Sequence, residues 1–546
     1  MQPIFDILVE PISQSDINIK IKTNHQVQSI TIIYGDPHDY TKTKLDFYQW
    51  NHREQTLELT NQSKLNKYFE TIIHPTNNRC KYYFKIDLEN SEPIFYGQKG
   101  YFSDNTDLDL YSTFYYPYIH ENDIYKEIDW IKNQIWCQIF IDRFRNGDSS
   151  INPDNTQAWD DPNITPTSFY GGDLRGIINE LDHLHQLGFT GLYLTPIFHS
   201  PSNHKYDTID YFQIDPHFGT KEDLKELVTE CHKRDMKILL DAVFNHSGYH
   251  FKPFQDVITH KNNSNYADWF HITNFDPLHY ETFSTVKYMP KLRTNHKELK
   301  AYLIDVLTYY IKEFDIDGWR FDVANEIDKA FIREAHQAVK QIKPNAYLLA
   351  EIWHDPSNWI TPELFDANME YESGHVFVSW LNDEISTSQL SQRLLDINHR
   401  TPINRFSNQF HLIDSHDTPR LINQVGFDQT KALMALFFLA LQKGSICLFY
   451  GTHYLLEGEN DPYCRIPYPL NPTQDQLEVQ KIIQDILQFR KHHLSPIQNE
   501  SFTIKEKDNQ IRFDYPSLSI TFDRVNKTIN YSSSKRSNAS FIMPLR

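Results

Sequence analysis

The chain has 546 residues, 40% hydrophobic and 23% charged, an ordinary globular mixture that can bury a large core. At roughly 150 residues per domain, that length predicts three or four domains. Fifty-three basic against 72 acidic residues give a formal charge of −19, which argues against nucleic acid and anionic membrane as partners.

Residues 1 to 120 alternate polar and apolar in the manner of strands, as in "DINIKIKT", "SITIIYG" and "KYYFKID". Turn residues separate these runs, and an N-terminal antiparallel β-sandwich is expected. The first residues, "MQPIFDILVEPISQ", have no basic stretch ahead of an apolar core; no secretory signal is expected, and a cytoplasmic location follows. The Tyr and Phe residues of 111–118 are expected to pack between domains.

From 121 to 496 short apolar runs alternate with amphipathic helices. The runs are "IWCQIFI", "GLYLTPI", "KILLDAV", "GWRFDVA", "YLLAEIW", "FDANME", "FHLIDSH" and "ICLFYG". Eight strands with helices between them predict an α/β fold, a (β/α)8 TIM barrel. Residues 246–294 lack clear periodicity and are too many for a plain βα loop, so a small inserted domain is expected there. "ALMALFFLAL" at 432–441 is half the length of a membrane span and reads as a core helix. Residues 497–546 return to alternation and predict a C-terminal β-domain. Cys80, Cys137, Cys231, Cys447 and Cys464 lack CxxC spacing, which predicts free thiols in a reducing compartment.

Several barrel strands end in polar groups: "DAVFNH", "RFD", "AEIWH" and "DSHD". Active sites of such barrels lie at the C-terminal strand ends, so Asp322, Glu351 and Asp417 are expected to meet in one pocket. Strand alternation places Arg320 on the same face as Asp322. Arg320 is expected to lower the pKa of Asp322, and Asp241 to hold Arg320. Three carboxylates suit glycoside cleavage, one as nucleophile and a second as acid and then base. Tyr206, Trp353 and Phe244 are candidate aromatic platforms.

These segments resemble glycoside hydrolase family 13, the α-amylase family, since four separated motifs occur in order. "VANE" after Asp322, "HKYDTIDY", "YGGDLRGI", "SHDTPR" and "EGENDPYCR" are similar to the neopullulanase, cyclomaltodextrinase and maltogenic amylase branch. The resemblance implies Asp322 as nucleophile, Glu351 as acid/base and Asp417 as third carboxylate. It implies sugar contacts from Arg320, His246, His416, His204 and Tyr206, with Asp461 and Arg465 on the donor side and Trp353 on the acceptor side. It further implies calcium (Ca2+) held by Asn146, Asp148, Asn152, Gly171 and Asp173, with Asp154 as a further candidate, although the same residue types also make plain turns. A homodimer through the N-terminal domain is implied as well. The chain departs from the family pattern at Ile141-Asp142 and at Thr452-His453. The activity implied is retaining hydrolysis of α-1,4-glucosidic bonds in cyclodextrins, pullulan or maltodextrins. A 4-α-glucanotransferase and a non-catalytic carbohydrate-binding scaffold are the alternatives.

Overall fold

The computed structural model describes residues 3–42, 44, 48–104, 111–533 and 536–541. The chain forms two compact units that do not follow chain order. One comprises Met1–Glu127, Asp383–Phe406 and Glu500–Ile542, and the other holds the remainder.

In the first unit, a four-stranded antiparallel sheet runs in the order Ile4–Pro11, Ile17–Thr23, Lys67–Ile73, Glu58–Gln62. A second sheet is centred on Cys80–Leu88 and Val27–Gly35. Ile17, Ile19, Ile21, Ile30, Ile32, Phe84 and Ile86 fill the core between them, as alternation demands. The opposite face of Ile17–Thr23 is covered too, by the helix Thr387–Arg400. Lys20 is therefore buried, and its ammonium donates to the carbonyls of Asn398 and Thr401 at 3.2 and 2.8 Å. That helix lies within the barrel stretch of the sequence, yet its packing joins it to the N-terminal sheet. The C-terminal five-stranded antiparallel sheet, Thr503–Lys507 to Arg536–Phe541, belongs to the same unit. Asn61 bonds its backbone at Phe502 and Ile504. By contact, the chain thus groups into one composite β unit and a barrel unit. The aromatic run at 111–118 divides by strand alternation: Phe114 and Tyr116 pack on the core, whereas Tyr111, Tyr115 and Tyr118 are exposed, which corrects the expectation that the whole run packs away.

In the second unit, eight parallel strands close into a barrel: β1 (Ile135–Ile139), β2 (Gly191–Leu194), β3 (Lys237–Ala242), β4 (Gly318–Phe321), β5 (Tyr347–Ala350), β6 (Ala367–Glu370), β7 (Phe410–His411) and β8 (Ser445–Phe449). Trp136, Tyr193, Leu239, Tyr347, Leu349, Met369, Phe410 and Cys447 form a common core cluster. Helices between the strands explain why the strands are buried on both sides. On β4, Trp319 stands towards Phe198 and Tyr310 at ring separations of 6.4 and 5.7 Å, leaving Arg320 on the other face.

The helix α1 (Leu174–Leu187) shows how the sequence sets an element. Asp173 caps its N-terminus by accepting from Gly176 N–H at 2.6 Å, Leu174, Ile177, Leu181 and Leu184 form a buried stripe, and Gly188 ends it at φ 109°, a conformation that suits glycine. The run 432–441 forms the later part of a helix, α2 (Gln429–Ala440), and its C-cap Leu441, and is buried from Ala432 onward, as expected of a core element. Between β3 and β4 the insertion carries a helix, Lys252–His260, and a hairpin, Ile272–Phe275 with Leu278–Tyr280. It belongs to the barrel unit. Among the described residues no helix is long and apolar enough to cross a membrane. All five cysteines are free and buried.

Candidate active site

Arg320 is fully buried and organises the strand ends. Its Nη1 donates to both oxygens of Asp241, at 2.9 and 2.9 Å, and to Asp322 Oδ1 at 2.8 Å. Its Nη2 lies 2.8 Å from Glu351 Oε2, a contact of opposite charges without hydrogen-bond alignment. Asp322 and Glu351 therefore meet at one guanidinium, and a single bound group can reach both. Their placement follows from the parallel register, in which Asp241 pairs with Arg320 and Phe321 with Ala350. After Asp322 the chain turns sharply. Val323 adopts φ 46°, ψ 46°, a strained conformation for a β-branched residue, and aims its N–H at Glu351 Oε2, 3.0 Å away.

A second ring of contacts extends the cluster. Tyr193 and Tyr206 donate their hydroxyls to Asp241 Oδ2 at 2.9 and 3.0 Å. Tyr206 stacks on His416 at 5.5 Å, and its hydroxyl is 2.7 Å from His416 Nε2. Gln138 holds the other ring nitrogen at 2.8 Å. Asp417 lies 3.1 Å from His416 Nε2 and 3.4 Å from Arg465 Nη2, and Arg465 in turn pairs with Asp461 at 2.8 Å. His204 accepts the Tyr206 N–H. His246 stacks on Phe283 at 5.0 Å with its buried Nε2 unpartnered in the protein. Trp353 donates to Glu351 Oε1 at 3.0 Å. Every residue expected at the catalytic and sugar-binding positions thus lies in one connected cluster, which His246 meets at the Tyr206 backbone. Phe244 is no platform: it is fully buried among Tyr211, Phe321 and Phe331.

Burial dominates the electrostatics. It raises Asp322 well above the usual carboxylate range; Arg320 pulls it back, while Glu351 and Asp241 push it further up. The expected lowering by Arg320 is therefore present but outweighed. Burial also pushes Asp241 up to about 6, against the pull of Arg320. His246 falls to about 3 through burial. His416 and His204 fall well below their ordinary value through burial and the nearby Arg465. Burial thus disfavours the charged form of all three histidines, which suits hydrogen bonding to uncharged hydroxyls.

Sequence reasoning missed Tyr193, Gln138 and Tyr371, polar residues in or beside strand runs that read as core. It also missed a cavity of about 460 Å³ lined by His204, Asp461 and Arg465 together with Tyr249, His250 and Tyr288 of the insertion. Tyr249 N–H donates to the Tyr288 carbonyl at 2.8 Å, tying the two segments. No periodic signal in the sequence announces that pairing.

A family model described as alpha amylase, catalytic domain, matches residues 138–514, and one described as alpha amylase, N-terminal ig-like domain, matches 7–120. The chain belongs to the α-amylase family. The cyclomaltodextrinase of Geobacillus thermopakistaniensis (strain MAS1) is 41% identical over 485 residues, 87% of this chain and 81% of that protein. The maltogenic alpha-amylase of Bacillus acidopullulyticus is 37% identical over 535 residues, 96% of this chain and 90% of that protein. A solved structure of a cyclomaltodextrinase superposes with a TM-score of 0.87 at 33% identity, covering 97% of this chain and 91% of that one.

The departures from the α-amylase family pattern have structural partners. Asp142 is buried, pairs with Arg143 at 2.7 Å and accepts the Tyr170 and Gly171 N–H groups. Thr452 donates to Asp414 at 2.8 Å, and His453 lies 2.9 Å from the Tyr468 hydroxyl. Both sites hold loops rather than face the carboxylate cluster.

The loop expected to bind calcium gathers at Gly171. A Cβ there would meet Asn152 Oδ1 at 2.5 Å and Asn146 Nδ2 at 2.7 Å. Asp173 already accepts N–H groups of Gly147, Asp148 and Gly176, and Asp148 Oδ1 accepts from Ser150. Asp154 is exposed. Among the described residues no group of three His, Cys, Asp or Glu side chains could hold a metal. A cation here would depend on asparagine and main-chain oxygens beside Asp148 and Asp173, a donor set that fits a hard cation.

Proposed function

We propose that the protein is a retaining α-glucan hydrolase that cleaves α-1,4-glucosidic bonds in cyclodextrins, pullulan or maltodextrins. The observation that carries this reading is the single guanidinium of Arg320 in contact with both Asp322 and Glu351. Relatives named cyclomaltodextrinase, maltogenic alpha-amylase and neopullulanase support the substrate class. Glu351 protonates the leaving oxygen while Asp322 attacks the anomeric carbon. Water then resolves the glycosyl-enzyme with Glu351 as base. A sugar hydroxyl can replace that water, so transglycosylation accompanies hydrolysis.

Incubation with β-cyclodextrin, pullulan and maltotriose, followed by product chromatography, tests the assignment. Reducing sugar should exceed disproportionation products. The reverse ratio would favour the glucanotransferase, and no products at all the scaffold.

Turnover needs Asp322 ionised, and its carboxyl is raised by burial. The acid limb of the kcat/KM profile should therefore have its midpoint above ~4, the ordinary carboxylate region. A midpoint at or below ~4 would contradict this.

We further propose that Asn146, Asp148, Asn152, Gly171 and Asp173 hold a structural Ca2+, which would tie the loop to the start of α1. Calcium should then raise the melting temperature by a few degrees over a chelator-treated sample. Identical melting curves would remove the site.

A further inference from the structure

The stretch "HKYDTIDY" supplies His204 and Tyr206 to the cluster, and the lysine between them has no task there. Tyr206 reaches Asp241 and His416, and His204 lines the cavity. The Lys205 side chain runs the other way and is 1% exposed. Its Nζ lies 2.9 Å from Asp215 Oδ2 and donates to the Ser200 carbonyl at 3.2 Å. It also sits over the rings of Phe218 and Phe169, at 4.9 and 5.6 Å. Asp215 is fully buried and is itself held, accepting the Ser200 and His217 N–H groups at 3.0 and 3.0 Å.

The backbone at Lys205 is left-handed, with φ 64°, a conformation that glycine adopts freely and lysine does not. The turn around it is tight. Lys205 N–H donates to Ser202 Oγ at 3.0 Å and Tyr206 N–H to His204 Nδ1 at 3.1 Å, while Ser200 and Ser202 both donate to Asp207 Oδ1. A strained residue persists where its surroundings over-determine it, and here the buried partner offsets the strain. With Lys205 anchored in the body of the unit, its two neighbours are carried to the opposite side, over the pocket. From Tyr206 the contacts run through Asp241 to Arg320, and from there to Asp322 and Glu351.

Resting on the reading of Asp322 and Glu351 as the reacting pair, we propose that Lys205 is a positioning residue. Its anchorage to Asp215 sets the direction of His204 and Tyr206, and through Tyr206 and Asp241 the placement of the Arg320 guanidinium between the two reacting carboxyls.

The test compares Lys205→Gly/Asp215→Asn with Lys205→Met/Asp215→Asn. Each pair removes both partners together, so no buried partner is stranded. Glycine relieves the left-handed strain but has no side chain to anchor. Methionine keeps the strain and keeps a stem against the rings of Phe218 and Phe169. Thermal melts and steady-state kinetics on maltotriose are read for both pairs and for the native protein. The Gly pair should melt at the temperature of the Met pair or higher. Its kcat should nonetheless be about 10-fold below native, the scale on which a displaced catalytic constellation acts, and should fall by more than KM rises. The Met pair should stay within about threefold of the native kcat, because its side chain still points inward. Stability and activity would then rank the two pairs in opposite orders, which a purely structural role does not produce. Equal kcat in both pairs, kcat that follows the melting temperature, or failure of either pair to fold would assign Lys205 to the fold alone and overturn the proposal. Those results on an active native enzyme leave the proposed function standing. A native protein without glucan turnover removes that reading and this inference with it.

Discussion

Asp322→Asn should lower kcat on maltotriose roughly 10⁴-fold or more, the scale on which removing a nucleophile acts, while the protein melts at the same or a higher temperature. The two effects have one cause. The Asp322 carboxylate is buried beside Glu351 and Asp241, and burial is the largest influence on it. Holding a charge there costs stability that the neutral amide does not. The amide can still accept from Arg320 Nη1, which reaches this position at 2.8 Å, and Arg320 keeps Asp241 and Glu351 as counter-charges. Activity and stability therefore move in opposite directions, as at a strained active site. Steady-state kinetics and a thermal melt on one preparation check the pair. Appreciable residual turnover by the folded variant would remove Asp322 as nucleophile. A collapsed melting temperature would show that the cluster was structural.

Arg320→Leu should be the most destabilising single change in the site, by about 3–5 kcal/mol, because it strands buried carboxylates without their partner. Arg320→Lys should not rescue it: one ammonium cannot span three carboxylates as a planar guanidinium does. The deficit should depend on pH. Asp241 is already pushed up to about 6, against ~3.9 for an unfolded aspartate. The folded state thus holds a proton that the unfolded chain releases first. This contribution to stability is full below pH ~4 and is lost as pH rises through about 6. Without Arg320 the pull that offsets burial at Asp241 and Asp322 is gone, so the deficit of Arg320→Leu should be larger at pH 8 than at pH 5. Melts of both proteins at the two values check this, and an equal deficit would contradict the charge argument.

The barrel was legible because its strands are short apolar runs ending in charge, a pattern that only convergence at one rim explains. Arg320 beside Asp322 was legible by strand alternation alone. The helix Thr387–Arg400 was not. Its pairing with Ile17–Thr23 joins residues nearly 400 positions apart, and an amphipathic helix carries no mark of which sheet it covers. Phe244 looked like a platform because it lies near a strand end, but its direction is set by Tyr211, Phe321 and Phe331. The Trp353–Tyr371 stack was hidden for a similar reason: each aromatic ends a different strand run, and only the closed barrel brings them face to face. The net charge effect at Asp322 was misjudged because the sequence shows the neighbouring cation but not the depth of burial.

The most direct measurement is peptide mass mapping of Glu351→Gln after brief incubation with α-maltosyl fluoride and an acid quench. Fluoride departs without help from a general acid, while the missing base slows release of the sugar from the enzyme. A maltosyl adduct on the peptide carrying Asp322 is the predicted result. An adduct on any other residue, or an unlabelled enzyme that still releases maltose with inverted configuration, would contradict it.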